Sequence, residues 1–511
     1  MTMPVPVSRR RLQDVGLIAG PAAALVVGLL LPESYAGADG TEVAFSSAGR
    51  ATAAIATWMA TWWLTEAISI HATALLPLVL LPLLGATTMR AAAAPYAHEL
   101  IFLFMGGFML ALAMERWGLH RRIALTTLGF AGEDAARIVA GFMFITAMLS
   151  MWVSNTATAI MLLPVATSVV SLVARQHGYD DATEAATAPD SPVRPFALCL
   201  LLGIAYSASI GGMGTPIGTP PNVLMLSFVN SELGREIGFA RWMSFALPLV
   251  VVFLPLVWWL LTRWLHPIRL GRIEGGRALV RGQLAELGPM SKPEWIVLGV
   301  FGVTAATWIT RPLHARVEIA GVHPFAGLTD AGIAMLAAMT LFVWPAERSP
   351  RRFVLDWPTA ARLPWGILVL FGGGLSLAAA IRSTGVSELL AAQVTGLAGV
   401  PGWVVVLTVV AGIVFLTELT SNTATTATLV PLLAALAPAL GLDPLSLVVP
   451  AALAASCAFM LPVATPPNAI VFGSGWLRVP DMSRAGLWLN WLGIALITLT
   501  AQALLLRLLV G

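Results

Sequence analysis

The chain has 511 residues, 58% of them hydrophobic and only 11% charged, with a mean hydropathy of +0.84. These values exclude an ordinary soluble domain and describe a polytopic membrane protein. The formal charge of +3 is carried almost entirely by arginine, Lys292 being the only lysine, which argues against a nucleic-acid partner.

A bilayer core of about 30 Å takes roughly 20 apolar residues as helix. Spans are predicted at 15–32, 50–66, 69–88, 99–116, 240–262, 294–311, 328–345, 364–382 and 485–508. The first follows an arginine cluster, as a signal peptide would, but no small-residue cleavage site stands out, so it reads as a span. Basic residues gather at Arg9 to Arg11, at Arg116, Arg121 and Arg122, between Arg263 and Lys292, and at Arg348, Arg351, Arg352 and Arg362. By the positive-inside rule these segments, and with them the N-terminus, face the cytoplasm of a protein of the cell inner membrane.

Two regions break the pattern. In 136–172 an apolar stretch runs up to Ser154-Asn155-Thr156 and another runs away from it, and 402–440 does the same around Ser421-Asn422-Thr423. Each arm is too short to cross comfortably, so both regions are expected to be re-entrant helical hairpins with the motif at the tip, where irregular backbone faces protein or water. Segments 196–230 and 448–475 break at Thr219-Pro220-Pro221-Asn222 and Thr465-Pro466-Pro467-Asn468. Proline withholds a donor and frees carbonyls, which predicts two helices unwound in mid-membrane.

The copies are offset by 267 residues at Ser-Asn-Thr (421 − 154) and by 246 at Thr-Pro-Pro-Asn (465 − 219). A hydrophilic stretch at 175–194, read as a solvated loop, accounts for the difference. Five crossings between the hairpins give the halves opposite orientations, an inverted repeat of the kind that builds transporter sites.

Hard cations prefer oxygen, and each copy supplies hydroxyl, amide and carbonyl oxygens. Ser150 and Thr417 lie one helical turn before Ser154 and Ser421, on the same face, and the carbonyls of Gly218 and Ala464 could complete each shell. Helix N-termini with Asn155, Thr156, Thr219, Asn422, Thr423 and Thr465 present donors to an anion without arginine or lysine. Capping alone would explain one copy but not two matched ones.

For Glu66, Glu115 and Glu418 a hydrogen-bonded structural role stands against a proton or cation role. His71, His98, Cys199 and Cys457 read as packing residues, and Gly106-Gly107 and Gly372-Gly373-Gly374 as points of close helix approach. No metal-spaced cluster or nucleophilic triad supports an enzyme, and no organic cofactor is implied.

The motifs Trp62-Trp63-Leu64-Thr65-Glu66-Ala67, Ser154-Asn155-Thr156-Ala157-Thr158, 416–423 and 459–470 resemble those of the divalent anion/sodium symporter family, over most of the chain. The resemblance implies an all-α homodimer in which a transport domain moves against a scaffold as an elevator. It divides the chain into 1–135 (first span and scaffold), 136–239 (first hairpin and broken helix), 240–400 (scaffold, with a cytoplasmic linker at 263–293), 401–484 (second hairpin and broken helix) and 485–511 (last span). It implies one sodium site from Ser150, Ser154, Asn155 and Gly218 and another from Thr417, Thr420, Asn422 and Ala464. Substrate carboxylates would meet Asn155, Thr156, Asn422 and Thr423, with Thr219 and Thr465 nearby. Ile68-Ser69-Ile70-His71 departs from the proline-containing stretch common in the family. The expected function is import of a C4-dicarboxylate with sodium; sodium-independent exchange, sulfate or citrate transport, and an intramembrane enzyme or structural subunit are the alternatives.

Overall fold

A computed structural model describes residues 7–36, 41–314, 317–318, 322–325, 327–348, 351–393 and 399–505. The end of the predicted last span, 506–508, and the side chains of Arg9, Arg348 and Arg351 lie outside them. Eight helices among the described residues are long and apolar enough to cross a membrane. Six coincide with predicted spans: Arg10–Leu30, Met89–Arg116, Phe239–Leu265, Lys292–His314, Trp365–Ser383 and Val479–Ala503.

Three other predicted spans fall short of that measure. Residues 50–66 form the helix Ser47–Thr65, where Thr57, Thr61 and Thr65 turn their hydroxyls back onto carbonyls one turn earlier. Residues 69–88 divide into Ile70–Thr73 and Leu76–Leu83, the second starting with Pro77 in its first turn. Residues 328–345 yield the 14-residue helix Asp330–Val343. Two small β-hairpins, Ser34–Ala36 with Glu42–Ala44 and Pro345–Arg348 with Arg351–Phe353, were not foreseen from the sequence.

Both motif regions fold as helix, tight turn, helix. The first pairs Ala135–Ser150 with Asn155–Gln176, and the second pairs Gly402–Thr417 with Asn422–Leu436. Asn155–Gln176 has 22 residues and is one of the eight long apolar helices, so the expectation that each arm is short holds for the 16-residue Ala135–Ser150 and not for its return arm. Val193–Gly212 stops and resumes as Pro220–Leu233; Leu445–Ala455 stops and resumes as Pro466–Phe472. Each resumption places two prolines at its first positions, where an amide proton would have no intrahelical partner. The 175–194 stretch is more ordered than a solvated loop. It contains the helix Ala182–Thr187, capped by Asp181 through Thr183 N at 2.7 Å, and its Ala185 and Ala186 are fully buried.

Two apolar cores result. One gathers most of both hairpins and both broken helices with Phe239–Trp259 and Val479–Thr500; the other gathers 45–119 with 297–390 and takes in Val153, Ile217, Val223, Leu224, Ala424 and Ala427 where the two meet. The pieces approach closely where side chains vanish. A Cβ on Gly106 would lie 2.6 Å from the Ala334 backbone, one on Gly373 2.2 Å from Ala74 O, and one on Gly211 2.3 Å from Ala147 O. Gly374 is different, since its Cβ would meet only Leu224 Cδ2 at 3.6 Å and Ala427 Cβ at 3.9 Å, which is ordinary contact. Gly373→Ala should therefore destabilise the fold by about 1–3 kcal/mol through overpacking against backbone, seen as a lower thermal midpoint in detergent, whereas Gly374→Ala should leave the midpoint within about 0.5 kcal/mol of wild type.

Candidate transport site

Both hairpin tips and both breaks line one cavity of about 980 Å³. Ser154, Asn155, Thr156, Gly218 and Thr219 come from the first half, and Thr420, Ser421, Asn422, Thr423, Ala464 and Thr465 from the second. The cavity thus joins motifs separated by 267 residues (421 − 154).

The tips are built alike. Ser154 caps the first return helix through Ala157 N at 3.2 Å, and Ser421 caps the second through Ala424 N at 3.4 Å. By helix geometry the amides of the first two residues, Asn155 and Thr156 in one copy and Asn422 and Thr423 in the other, have no intrahelical acceptor. Two positive helix ends therefore converge on one cavity, a setting that suits an anion. The resumed broken helices add dipole but few amide donors, because Pro220, Pro221, Pro466 and Pro467 have none. Their caps Thr219 and Thr465 supply hydroxyls, the latter accepting from Asn468 N at 3.3 Å.

Behind each tip lies an oxygen cluster short of protons. Ser150 Oγ meets both Asn155 Oδ1 and Ala208 O, the latter at 2.7 Å. Thr417 Oγ1 meets Asn422 Oδ1 at 2.7 Å and Ala455 O at 3.1 Å. A hydroxyl has one proton, so three oxygens share a single donor in each cluster, the composition of a cation site rather than of a satisfied hydrogen-bond network. In the first, glycine brings further oxygens close: a Cβ at Gly212 would sit 2.9 Å from Asn155 Oδ1 and 3.1 Å from Gly218 O. The donors in both clusters are neutral hydroxyl, amide and carbonyl oxygens, a set that suits a hard cation.

Not every predicted ligand joins these clusters. The Ser154 hydroxyl is spent on capping. Thr420 Oγ1 bonds Leu416 O at 3.0 Å and Thr425 Oγ1 at 2.7 Å, away from Thr417 and Asn422. Gly218 reaches the first cluster, and Ala464 lines the shared cavity.

Sequence reasoning passed over the residues that hold the breaks open. Asn222 Nδ2 donates to the carbonyls of Gly212, Met213 and Thr215 at 2.8–3.2 Å, and Asn468 Nδ2 to those of Ala458 and Leu461 at 3.0–3.1 Å. Their recurrence as the last residue of Thr-Pro-Pro-Asn was the available signal. Glu418 serves the same end in the second half. Its carboxylate accepts from Phe459 N, Met460 N and Leu461 N at 2.7, 2.9 and 3.1 Å and from Asn490 Nδ2 at 2.8 Å, which favours the structural reading of this residue. Its counterpart Met151 offers only a backbone carbonyl, bonded by Thr215 Oγ1 at 2.5 Å. Glu66, His71 and Glu115 line the cavity wall opposite the tips with Arg362. Glu66 is the only non-glycine with positive φ among the described residues, closing Ser47–Thr65 at φ 48°.

Hairpin tips and broken helices gathered on one cavity in an apolar fold define a polytopic membrane transporter. The signature of the family described as the sodium:sulfate symporter transmembrane region matches residues 22–510, and the chain belongs to that family, whose members are transporters and not enzymes. The chain is 41% identical over 499 residues to the sodium-dependent dicarboxylate transporter SdcS of Staphylococcus saprophyticus, covering 96% of this chain and 91% of that one. It is 40% identical over 489 residues to the transporter of the same name from Staphylococcus aureus, covering 95% and 90%. Two solved transporters share the fold at low identity: Alcanivorax borkumensis YdaH (TM-score 0.58, 14% identity, 97% of this chain and 98% of that one) and Neisseria gonorrhoeae MtrF (TM-score 0.60, 12% identity, 98% and 96%).

Glu418→Gln would turn one acceptor oxygen into a donor facing amide protons. It should lower the thermal midpoint, at a cost on the order of 1–3 kcal/mol. Met151→Leu, which keeps the backbone acceptor, should leave it close to wild type, and equal midpoints for Glu418→Gln and wild type would show that the carboxylate does not hold the second break.

Proposed function

We propose that the chain is an inner-membrane secondary transporter that imports a C4-dicarboxylate, such as succinate, malate or fumarate, together with sodium. The observation that carries this reading is the meeting of two sequence-distant Ser-Asn-Thr motifs in one cavity, each backed by a proton-poor oxygen cluster. The relatives named sodium-dependent dicarboxylate transporters supply the substrate class and the coupling ion.

In this reading Asn155, Thr156, Asn422 and Thr423 receive the carboxylates, with Thr219 and Thr465 beside them. One sodium takes Ser150, Asn155 and Gly218 with Ser154 at its rim; a second takes Thr417, Asn422 and Ala464 with Thr420 nearby. Two monovalent cations and a dianion sum to no net charge, so the loaded site crosses hydrocarbon without the large cost of an uncompensated ion.

The movement is an elevator. The core holding both hairpins slides against the other along a boundary where Gly107 faces Ile217 and Gly374 faces Leu224 and Ala427, apolar contacts that Arg382 and Glu232 flank with a loose ion pair at 3.8 Å. The two sequence halves, each with one hairpin and one broken helix, form an inverted repeat, and the second core carries a homodimer interface. With the basic segments cytoplasmic, the N-terminus and the cavity wall bearing Arg362 face the cytoplasm.

Labelled succinate uptake into proteoliposomes, under an inward sodium gradient and with choline in its place, tests the proposal. Uptake is expected only with sodium, and Asn155→Ala or Asn422→Ala should abolish it while the protein still elutes as a folded dimer. Uptake indifferent to sodium but requiring internal dicarboxylate would make the protein an exchanger, and competition by sulfate or citrate alone would move the substrate class. Normal uptake by both variants would sink the site assignment.

A further inference from the structure

The wall opposite the motifs carries chemistry that the transport site does not use. Arg362 is the only arginine or lysine that lines the cavity among the described residues. It sits at the end of a short, well-anchored turn: Arg362 N donates to Thr359 O at 3.1 Å, and Asp356 caps that turn through Thr359 N at 3.0 Å. Asp356 also pairs with Arg116 at 2.7 Å. Burial works against its charged form, but the bonds from Thr359 and the guanidinium of Arg116 outweigh it and hold the carboxyl below its ordinary range. The neighbouring arginine is thus neutralised, while Arg362 has no ion-pair partner among the described residues and remains exposed at the cavity wall. Glu115 lies within its field without touching it.

One turn further on, His71 occupies the space that Gly366 leaves. A Cβ there would lie 2.6 Å from the ring, and Nδ1 is buried against this helix with no hydrogen-bond partner. Nε2 is then the ring nitrogen with which His71 can meet a cavity ligand.

We propose that Arg362 and His71 form a second, vestibular anion subsite, which takes one carboxylate of a dicarboxylate on its way between the motif site and the membrane side on which Arg362 lies. A planar guanidinium suits a carboxylate in bidentate fashion, and an imidazole N–H adds a neutral donor. Glu115 on the same wall opposes lasting occupancy, so the subsite gathers and hands on the anion without trapping it. The subsite stays with the wall when the motif site moves, so it acts from one side of the membrane only.

This inference rests on the proposed dicarboxylate transport, and its test separates the two. Succinate concentration dependence is measured in proteoliposomes from each side of the wild-type, Arg362→Gln, Arg362→Lys and His71→Gln proteins, at fixed sodium and varied choline chloride. From the Arg362 side, Arg362→Gln should raise the half-saturating concentration about three- to fivefold and remove its dependence on ionic strength. Arg362→Lys should restore part of both, His71→Gln should give a smaller rise, and transport from the opposite side should be unaltered by all three. Wild-type uptake with Arg362→Gln kinetics unchanged, or changed equally from both sides, would overturn this inference alone. No sodium-driven uptake by the wild-type protein would overturn the transport reading and the inference with it.

Discussion

Backbone that leaves a helix inside an apolar fold must find partners within the protein, because each buried unpaired amide or carbonyl costs kilocalories. Everything at the centre of this molecule follows from that constraint. Each broken helix ends before its Thr-Pro-Pro-Asn segment and leaves carbonyls without helical partners, and the asparagine that ends the segment gathers several of them: Asn222 binds those of Gly212, Met213 and Thr215, and Asn468 those of Ala458 and Leu461. The breaks can persist because their donors and acceptors are matched within the protein, the carbonyls largely by the asparagine of the same motif. Once they persist, the carbonyls left over and the hairpin-tip side chains become the material of a site.

The two halves meet the same demand with different chemistry. In the first, Trp242 Nε1 reaches Met213 O at 3.0 Å and Thr215 Oγ1 reaches Met151 O, all neutral groups. In the second, the place of Met151 is taken by Glu418, whose carboxylate collects three successive amides and the Asn490 side chain. Charge-assisted bonds are roughly twice as strong as neutral ones, so the second break is braced more firmly. The second oxygen cluster also sits one residue from a carboxylate, whereas the first does not. Sequence symmetry therefore does not make the two clusters electrostatically equivalent.

Much of this was legible in the sequence because it is written in residue types that have few other reasons to occur in apolar segments. Matched Ser-Asn-Thr and Thr-Pro-Pro-Asn motifs located the hairpin tips, the breaks and the part of the cavity lining that these supply. Spans with long apolar runs were found to within a few residues. The helix Asp330–Val343 also fell within a few residues of the predicted 328–345, whereas the division of 69–88 was missed, since hydropathy averages do not register a break between two short helices. Thr420 was placed among cation ligands by likeness, yet its hydroxyl turns to Leu416 O and Thr425, a choice set by rotamer and local packing. The opposite wall escaped for another reason: Glu66, His71, Glu115 and Arg362 come from three separate segments, and only folding brings them to one surface.

The proton count at the clusters bears on how ions and anion would depend on one another. Asn155 turns Oδ1 toward the Ser150 cluster while its helix-end amide faces the cavity, and Asn422 does the same beside Thr417. A cation at either cluster would satisfy the surplus oxygens and fix the asparagine, and with it the first turn of the return helix, in the orientation that presents amides to an anion. Without the cation, the one available hydroxyl proton cannot satisfy both oxygens, and the amide is free to rotate toward a better donor at the expense of the anion site. Coupling of this kind is reciprocal by thermodynamic necessity: an anion that orders the helix end raises cation affinity by the same factor that the cation raises its own. It would need no charged side chain in contact with the substrate, only a residue in each half that serves both ligands, the part proposed for Asn155 and Asn422.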